Sequence, residues 1–165
     1  MKISYLKSGF SIIEAVVGVA ISAVILVTFL TLVVASRQIS RSNAEELKAA
    51  LYLREAVEVA RDLEVSDWAE LENIVCVSPL PCHPESSGGV WTFTSGAETL
   101  EGIYARTISV SPVYRDKPAD DYPNEIVETP GILDPDTKKI TAAISWTGQW
   151  GGKQRQLETY VYKPQ

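Results

Sequence analysis

The N-terminal part of the chain contains one long apolar stretch. From Phe10 to Ala35 most side chains are apolar, and Glu14 is the one ionisable residue among them. A helix of roughly 26 residues is about 39 Å long, which exceeds the roughly 30 Å of a bilayer's hydrocarbon core. No proline occurs before Pro79. The pattern therefore predicts an uninterrupted helix that can cross a membrane with some tilt.

After this stretch, apolar residues recur every three or four positions, which is typical of an amphipathic helix. The periodic positions are Leu47, Ala50, Leu51, Leu53, Val57, Ala60 and Leu63. We expect the helix to continue to about Leu63 and its second half to lie against a sheet. Ser66-Asp67-Trp68 would end the helix or begin a further short turn.

From Gly89 onward the hydrophobic period changes to two, which is typical of strands. The predicted strands are residues 90–94, 103–114, 139–147 and 154–163. Residues 148–152 would form a hairpin loop, and Trp146 falls on the predicted core face of its strand. Consecutive strands with short turns indicate an antiparallel sheet. The expected fold is therefore α+β, with the long N-terminal helix packed on a C-terminal antiparallel sheet.

Two segments outside these elements are predicted to be loops. Residues 76–84 are rich in proline, and residues 112–137 combine prolines with many acids. Long surface loops often carry function. The aspartates that could hold calcium in the second loop are Asp116, Asp120, Asp121, Asp134 and Asp136. This loop lacks the glycine and the terminal glutamate of an EF-hand, so a solvated acidic turn is the favoured interpretation.

The chain has two cysteines, Cys76 and Cys82. Such a close pair suggests a disulfide in an exported domain, whereas the cytosol would keep both thiols reduced. A disulfide over so short a loop would stabilise the fold by about 2 kcal/mol in the chain-entropy model. A metal site that includes His83 is a weaker alternative, because no fourth ligand is evident. A reactive-cysteine enzyme has no better support, because nothing is evident that would orient His83.

Composition disfavours several functional classes. The formal net charge of −6 gives no general electrostatic support for a nucleic-acid partner. The basic residues of the C-terminal half are too few and too mixed with acids for a DNA-binding patch: Lys138, Lys139, Lys153 and Arg155. The sequence contains no Walker motif and no nucleophile elbow, so we expect neither enzyme activity nor a cofactor. Trp91 and Trp150 could offer an aromatic surface to a ligand, and Trp150 is the better candidate.

The residues that precede and include Glu14 form a recognisable signal. The leader Met1 to Gly9 is short and basic, and the sequence Gly9-Phe10-Ser11-Ile12-Ile13-Glu14 begins at its end. This segment resembles the class III signal of type IV pilins and of type II secretion pseudopilins. In that family a prepilin peptidase cleaves after the glycine and methylates the new N-terminal residue, which here would be Phe10. A glutamate at the fifth mature position is the family's signature, and Glu14 occupies it.

The resemblance implies an assembly role for Glu14. A carboxylate in the middle of a membrane costs about 2.5–3.5 kcal/mol by insertion scales, and less near the end of the span. After cleavage, the α-amino group of Phe10 would be cationic, with a reference pKa near 8. In the family, this amine is proposed to pair with the glutamate of a neighbouring subunit, and pairing within one helix also has suitable spacing. An interfacial acid that reaches back to water is the alternative explanation of Glu14.

The resemblance also implies an organisation and a location. Residues 1–9 would be a removed leader, 10–35 a transmembrane and filament-core helix, 36–65 its amphipathic continuation, and 66–165 an extracytoplasmic domain. The chain would be a bacterial protein that crosses the inner membrane once and later enters a cell-surface or periplasmic filament. Its expected partners are membrane lipid, the prepilin peptidase, the inner-membrane assembly platform and other pilin subunits. The absence of a proline from the apolar helix favours a minor pilin or a pseudopilin over a major pilin.

The apolar stretch has two other interpretations. A cleaved secretory signal would end near Ala35-Ser36, but this run is too long and contains a carboxylate. A single-pass anchor for a monomeric extracytoplasmic binding domain would leave Glu14 without a role. The sequence does not separate a pilus subunit from a type II secretion pseudopilin.

Overall fold

The computed structural model describes residues 12–72, 76, 80–118, 124–128, 130–148 and 151–164. Within them the chain forms two helices and seven strands: α1 (Ile12–Ser66), α2 (Trp68–Glu72), β1 (Cys82–Ser87), β2 (Val90–Ser95), β3 (Glu98–Leu100), β4 (Tyr104–Arg115), β5 (Ile126–Val127), β6 (Ile132–Gly148) and β7 (Gly151–Tyr162). The chain divides into two compact units, Met1–Asn43 and Ala44–Gln165. The predicted sites that lie outside the described residues are Gly9, Phe10, Asp120, Asp121 and Trp150.

The first unit is described from Ile12 onward as the N-terminal part of α1. Its most apolar 18-residue window has a mean hydropathy of 2.7, and none of that window is buried. Thr28 Oγ1 donates to the Val24 carbonyl at 2.8 Å, so this hydroxyl is satisfied within the helix. By length and composition this helix can cross a membrane, as the hydrophobic pattern predicts.

The second unit contains one antiparallel sheet of seven strands. Its strand order is β2-β1-β4-β6-β7, and both β3 and β5 pair with β4. The two longest ladders join β4 to β6 and β6 to β7. The predicted α+β class, with a long N-terminal apolar helix and an antiparallel sheet, is therefore confirmed.

The core lies between residues 44–66 of α1 and one face of the sheet. Along β4 buried and partly exposed residues alternate, because successive side chains of a strand point to opposite faces. The helix contributes Ala49, Leu53, Ala56, Val57, Val59, Ala60 and Leu63. The three long strands contribute Tyr104, Ile108, Val110, Ile140, Ala142, Ile144, Trp146 and Val161. Trp146 is 3% exposed, which confirms its predicted place in the core.

The helix differs from the prediction in its end and in part of its buried face. It ends at Ser66, and α2 follows after one residue. The hydrophobic period predicts that Leu47, Ala50 and Leu51 face the sheet, yet all three are exposed, the two leucines by 63% and 55%. Two residues correspond to about 200° of helical rotation, so Leu51 points away from the buried Leu53. The burial of Leu53, Val57, Ala60 and Leu63 follows the predicted period.

The predicted loop at residues 76–84 ends in a strand, because β1 begins at Cys82 and includes Pro84. Pro84 lies opposite Phe93 of β2, whose N–H donates to the Glu70 carboxylate at 3.2 Å instead of to β1. Because Phe93 directs its N–H away from β1, the opposite residue Pro84 directs its backbone nitrogen away from β2 and towards β4. β1 pairs with β4 only at Cys82, so no hydrogen bond is required from Pro84. A proline is tolerated there because it removes no ladder hydrogen bond.

The predicted loop at residues 112–137 is also strand in part. It contains the end of β4, all of β5 and the beginning of β6, so that Asp134 and Asp136 lie in a strand. The register of β4 against β6 shifts between Pro112 and Val113, as at a β-bulge. The last hairpin is tighter than expected, because Gly148 already pairs with Gly151.

Candidate functional site

The predicted assembly residue Glu14 lies in the first turn of α1 and is exposed. Gly18 and Ser22 follow it at intervals of four, so the three residues share one face of the helix. A shallow groove of about 560 Å³ runs along this face, lined by Glu14, Ala15, Gly18, Val19, Ser22, Ala23 and Leu26. The groove has mainly small side chains in its first turns and a carboxylate at one end.

Gly18 makes this groove open. A Cβ atom built on Gly18 would meet nothing within 4 Å, and every residue from Ile12 to Leu32 is exposed. Small residues spaced in this way let a second helix approach the backbone closely in a membrane. A helix packed there would also bring its own groups close to Glu14, where a cation would be stabilised by the carboxylate.

The cysteines and His83 do not form a metal site. Cys76 and Cys82 are joined by a disulfide with a Cα–Cα distance of 5.3 Å. Neither thiolate is then available as a metal ligand or as a nucleophile. His83 Nδ1 lies 3.2 Å from the Gly96 carbonyl. In the described part of the chain, no group of three His, Cys, Asp or Glu side chains is placed to hold a metal ion.

The acidic segment is held by internal contacts. Asp134 forms an ion pair with Arg115, with 2.6 Å between Oδ2 and Nε, and it accepts a hydrogen bond from Thr137 Oγ1 at 2.7 Å. Burial raises the pKa of Asp134, but these hydrogen bonds outweigh the burial and the pKa lies below its ordinary value of 3.8. Asp134 therefore acts as a structural anion that ties β4 to β6.

Of the four basic residues considered for a DNA-binding patch, Lys139, Lys153 and Arg155 are paired with carboxylates. Lys139 Nζ lies 2.9 Å from Glu158, and Lys153 Nζ lies 3.1 Å from Glu46. The hydrogen bond to Glu158 raises the pKa of Lys139. Arg155 also lies 3.5 Å from Glu46. The charges of Lys139, Lys153 and Arg155 are therefore compensated within the chain.

Arg106 is a charged residue of the core for which the hydrophobic pattern made no allowance. It is 1% exposed, its Nε donates to Glu98 at 3.0 Å and its Nη1 donates to the Tyr52 carbonyl at 3.0 Å. Glu55 of α1 lies 3.4 Å from Nη1. The sequence did contain a signal for the burial of Arg106. Arg106 lies two residues from both Tyr104 and Ile108, so the period of two places all three side chains on the core face of β4.

The predicted site residues are not gathered at one place. Glu14 belongs to the first unit, whereas the disulfide, Asp134 and the tryptophans that the structure describes belong to the second. A scan of the chain against protein-family models, a search of the curated proteins and a search of the solved structures each find no match.

Proposed function

We propose that the chain is a structural subunit of a type IV pilus or pilus-like filament. A prepilin peptidase would cleave it after Gly9 and methylate Phe10. The observation that carries the proposal is Glu14, a carboxylate at the start of an exposed apolar helix and five residues after Gly9. The α+β fold with a long N-terminal helix supports it, because pilins share that architecture.

The proposed mechanism follows from the physical properties of the helix. Before assembly, lipid surrounds its apolar side chains, and the second unit lies outside the inner membrane. In the filament, helices from neighbouring subunits replace the lipid. Close packing of a neighbouring helix into the groove at Gly18 favours their association. Glu14 pairs with the Phe10 amine of a neighbouring subunit, so that neither charge is left uncompensated. This pairing sets the axial register, and the protein itself catalyses no reaction.

The first test of the proposal is the mass of the mature N-terminus. The full chain is produced in cells that contain a prepilin peptidase and, as a control, in cells that lack it. We expect a mature protein that begins at N-methylated Phe10 only in the first case. An N-terminus at Met1 in both cells, or one near Ser36, would overturn the proposal.

The second test separates assembly from insertion. Glu14→Leu and Glu14→Gln both remove the charge, and Ile25→Leu is a control on the same helix outside the groove. We expect the Glu14 variants to insert and to be cleaved normally, but to enter filaments at least about tenfold less than wild type, since tenfold corresponds to about 1.4 kcal/mol. Quantitative immunoblotting of sheared filaments measures this. Equal incorporation of Glu14→Leu and wild type would refute the assembly role of Glu14.

A type II secretion pseudopilin is a close variant of the same proposal. Neighbouring genes for pilus retraction would favour a pilus, and neighbouring genes for a secretin-linked secretion system would favour a pseudopilus. A monomeric membrane-anchored binding domain is the alternative of another class. It predicts that the leader stays uncleaved and that Glu14→Leu has no effect on the protein's behaviour.

A further inference from the structure

A cavity of about 430 Å³ opens on the sheet where β4, β5, β6 and β7 come together. Tyr114, Lys139 and Tyr160 line it, and each lies next to a buried residue of its own strand. Because successive side chains of a strand alternate between the two faces, these three point to the face opposite the core, away from α1. The volume lies in the range of about 300–1,000 Å³ that is typical of ligand sites.

The bulge in β4 accounts for the position of this cavity. Pro112 lies opposite Lys138, whereas Val113 lies opposite Asp134, so residues 135–137 of β6 face no residue of β4 in the described register. Bulges of this kind bend a strand and redirect its side chains, and they are frequent next to functional sites. The cavity lies at this irregularity, between the end of β4 and the regular part of the sheet.

Three polar side chains at the cavity are not used by the fold. In the part of the chain that the structure describes, the side chains of Tyr114, Glu128 and Tyr160 make no hydrogen bond and no ion pair. The other polar residue of the lining, Lys139, is held by Glu158, with 2.9 Å between Nζ and Oε2. The cavity therefore offers two phenol groups and one carboxylate to a ligand.

The charges around the cavity favour a cationic ligand. Glu128 and Glu158 are two carboxylates against the one ammonium of Lys139, which leaves a net charge of −1. The hydrogen bond to Glu158 raises the pKa of Lys139, and the nearby charges of Tyr160 and Glu128 add to this increase. The Glu128 carboxylate therefore acts on the same space as Lys139 without an ion pair to it. A cation would compensate Glu128, whereas an anion would be repelled by it.

The aromatic and aliphatic walls define the rest of the ligand. A cation is attracted to the face of a tyrosine ring when it lies within about 6 Å of the ring centroid. Beside the two rings, Pro112, Val113, Ile126 and Val127 line the cavity with apolar surface. Lysine and arginine side chains place an aliphatic stem on apolar surface and hold the charged head beyond it. Such a side chain matches both walls.

We propose that this cavity binds the side chain of a lysine or arginine of a partner protein. The cationic head lies between the Glu128 carboxylate and the rings of Tyr114 and Tyr160, and the aliphatic stem lies against the apolar wall. Ile126 and Tyr160 stay 39% and 36% exposed, so the cavity covers one side of a ligand without enclosing it. Small-molecule sites bury most of the ligand surface, whereas an open site suits a side chain whose backbone stays outside. The site lies within the second unit and does not depend on the filament proposal.

The first test compares probes that differ in charge. Short alanine peptides with one central lysine, arginine or norleucine are titrated onto the full chain in non-ionic detergent, and ligand-observed NMR gives each Kd. Norleucine keeps an unbranched aliphatic stem but carries no charge. We expect the lysine and arginine peptides to bind at least about tenfold more tightly than the norleucine peptide. Equal binding of all three peptides, or no binding of the two basic ones, would overturn the proposal.

A further probe identifies the source of the cation. The n-butylammonium ion is the head and stem of lysine without a backbone. We expect it to bind in competition with the lysine peptide, because both occupy the same cavity. If n-butylammonium bound and the basic peptides were excluded, the ligand would be a free amine and the proposed protein partner would be wrong.

Two matched variants locate the carboxylate that holds the cation. Glu128→Gln removes the carboxylate of the cavity, and Glu125→Gln removes one from the same segment that does not line it. Both residues are exposed, so we expect the fold to be kept. The affinity for the lysine peptide should fall at least about fivefold in Glu128→Gln and less than about twofold in Glu125→Gln. Equal losses in the two variants would show a response to net charge alone and would refute the site.

A substitution of Lys139 separates a cation site from an anion site. Lys139→Met removes the positive charge that opposes a bound cation, so the lysine peptide should bind about two- to fivefold more tightly. Weaker binding of the lysine peptide to this variant would contradict the proposed charge preference.

Discussion

Glu101 has a backbone conformation that non-glycine residues seldom adopt, with a φ of 49°. Its carboxylate accepts hydrogen bonds from Lys48 Nζ at 2.7 and 2.9 Å and from the Tyr52 hydroxyl at 3.1 Å. These contacts join the turn between β3 and β4 to α1. The hydrogen bond from Lys48, followed by that from Tyr52, holds the pKa of Glu101 below its ordinary value of 4.5. The contacts with the helix compensate for the unfavourable backbone conformation.

The lowered pKa predicts a pH-dependent stability. Glu101 stabilises the fold fully above the unfolded-state pKa, and this contribution is lost as the pH falls through the lower folded-state pKa. Glu101→Gln keeps the size of the side chain and removes the charge. We expect the Tm difference between wild type and Glu101→Gln to be constant from pH 7 to about pH 5.5 and to shrink below about pH 4.5. Thermal unfolding followed by circular dichroism measures it, and an undiminished difference at pH 3 would contradict the prediction.

The ion pair between Arg106 and Glu98 predicts a non-additive pair of substitutions. Glu98→Ala leaves the guanidinium of Arg106 buried with less compensation, which should cost about 3 kcal/mol. The double variant Arg106→Met with Glu98→Ala removes the buried charge as well. We therefore expect the double variant to be more stable than Glu98→Ala alone when urea unfolding is measured. Additive losses from Arg106→Met and Glu98→Ala would show that Arg106 is not stabilised mainly through Glu98.

At the scale of the element, α1 offers a matched pair of leucines. Leu53 is 5% exposed against the sheet, and Leu51 is 55% exposed on the other side of the helix. Leu53→Ala should destabilise the fold by about 2–5 kcal/mol, because it leaves a cavity in the core. Leu51→Ala should change the free energy of unfolding by less than about 0.5 kcal/mol. Equal losses in urea unfolding of the two variants would show that the helix buries a different face.

Local patterns predicted α1 and the long strands well, because their hydrophobic periods extend over many residues. They failed for β1 and for the start of β6, where contacts distant in sequence decide the structure. The Phe93–Glu70 hydrogen bond frees Pro84 from a ladder position, and Arg115 compensates Asp134 inside a strand. For the candidate site, the sequence alone indicates Glu14, because the motif that contains it is a contiguous segment from Gly9 to Glu14. The cavity at Glu128 depends on strand order and on the bulge in β4, which no local pattern contains.

The whole molecule combines two units that suit different solvents. The unit Met1–Asn43 exposes its apolar helix, as lipid or other helices require, whereas the core residues all lie in the unit Ala44–Gln165. The exposed carboxylate Glu14 lies in the first unit, and the cavity at Glu128 lies in the second. Substitutions in the first unit can thus alter its exposed apolar surface without changing the core of the second.

This separation predicts where the chain can be cut. A chain of residues 44–165 keeps every core residue, including those of α1, and loses the apolar segment. We expect it to be soluble without detergent and to unfold within about 5 °C of the full chain, which corresponds to roughly 1 kcal/mol. A chain of residues 67–165 is the matched control. It lacks the helix, so Ile108, Ile140 and Val161 would face water, and it should aggregate or stay unfolded. Circular dichroism and size-exclusion chromatography distinguish the two chains. If the shorter chain folded as stably as the longer one, the packing of α1 on the sheet would contribute nothing to stability, contrary to the burial of Leu53 and Leu63.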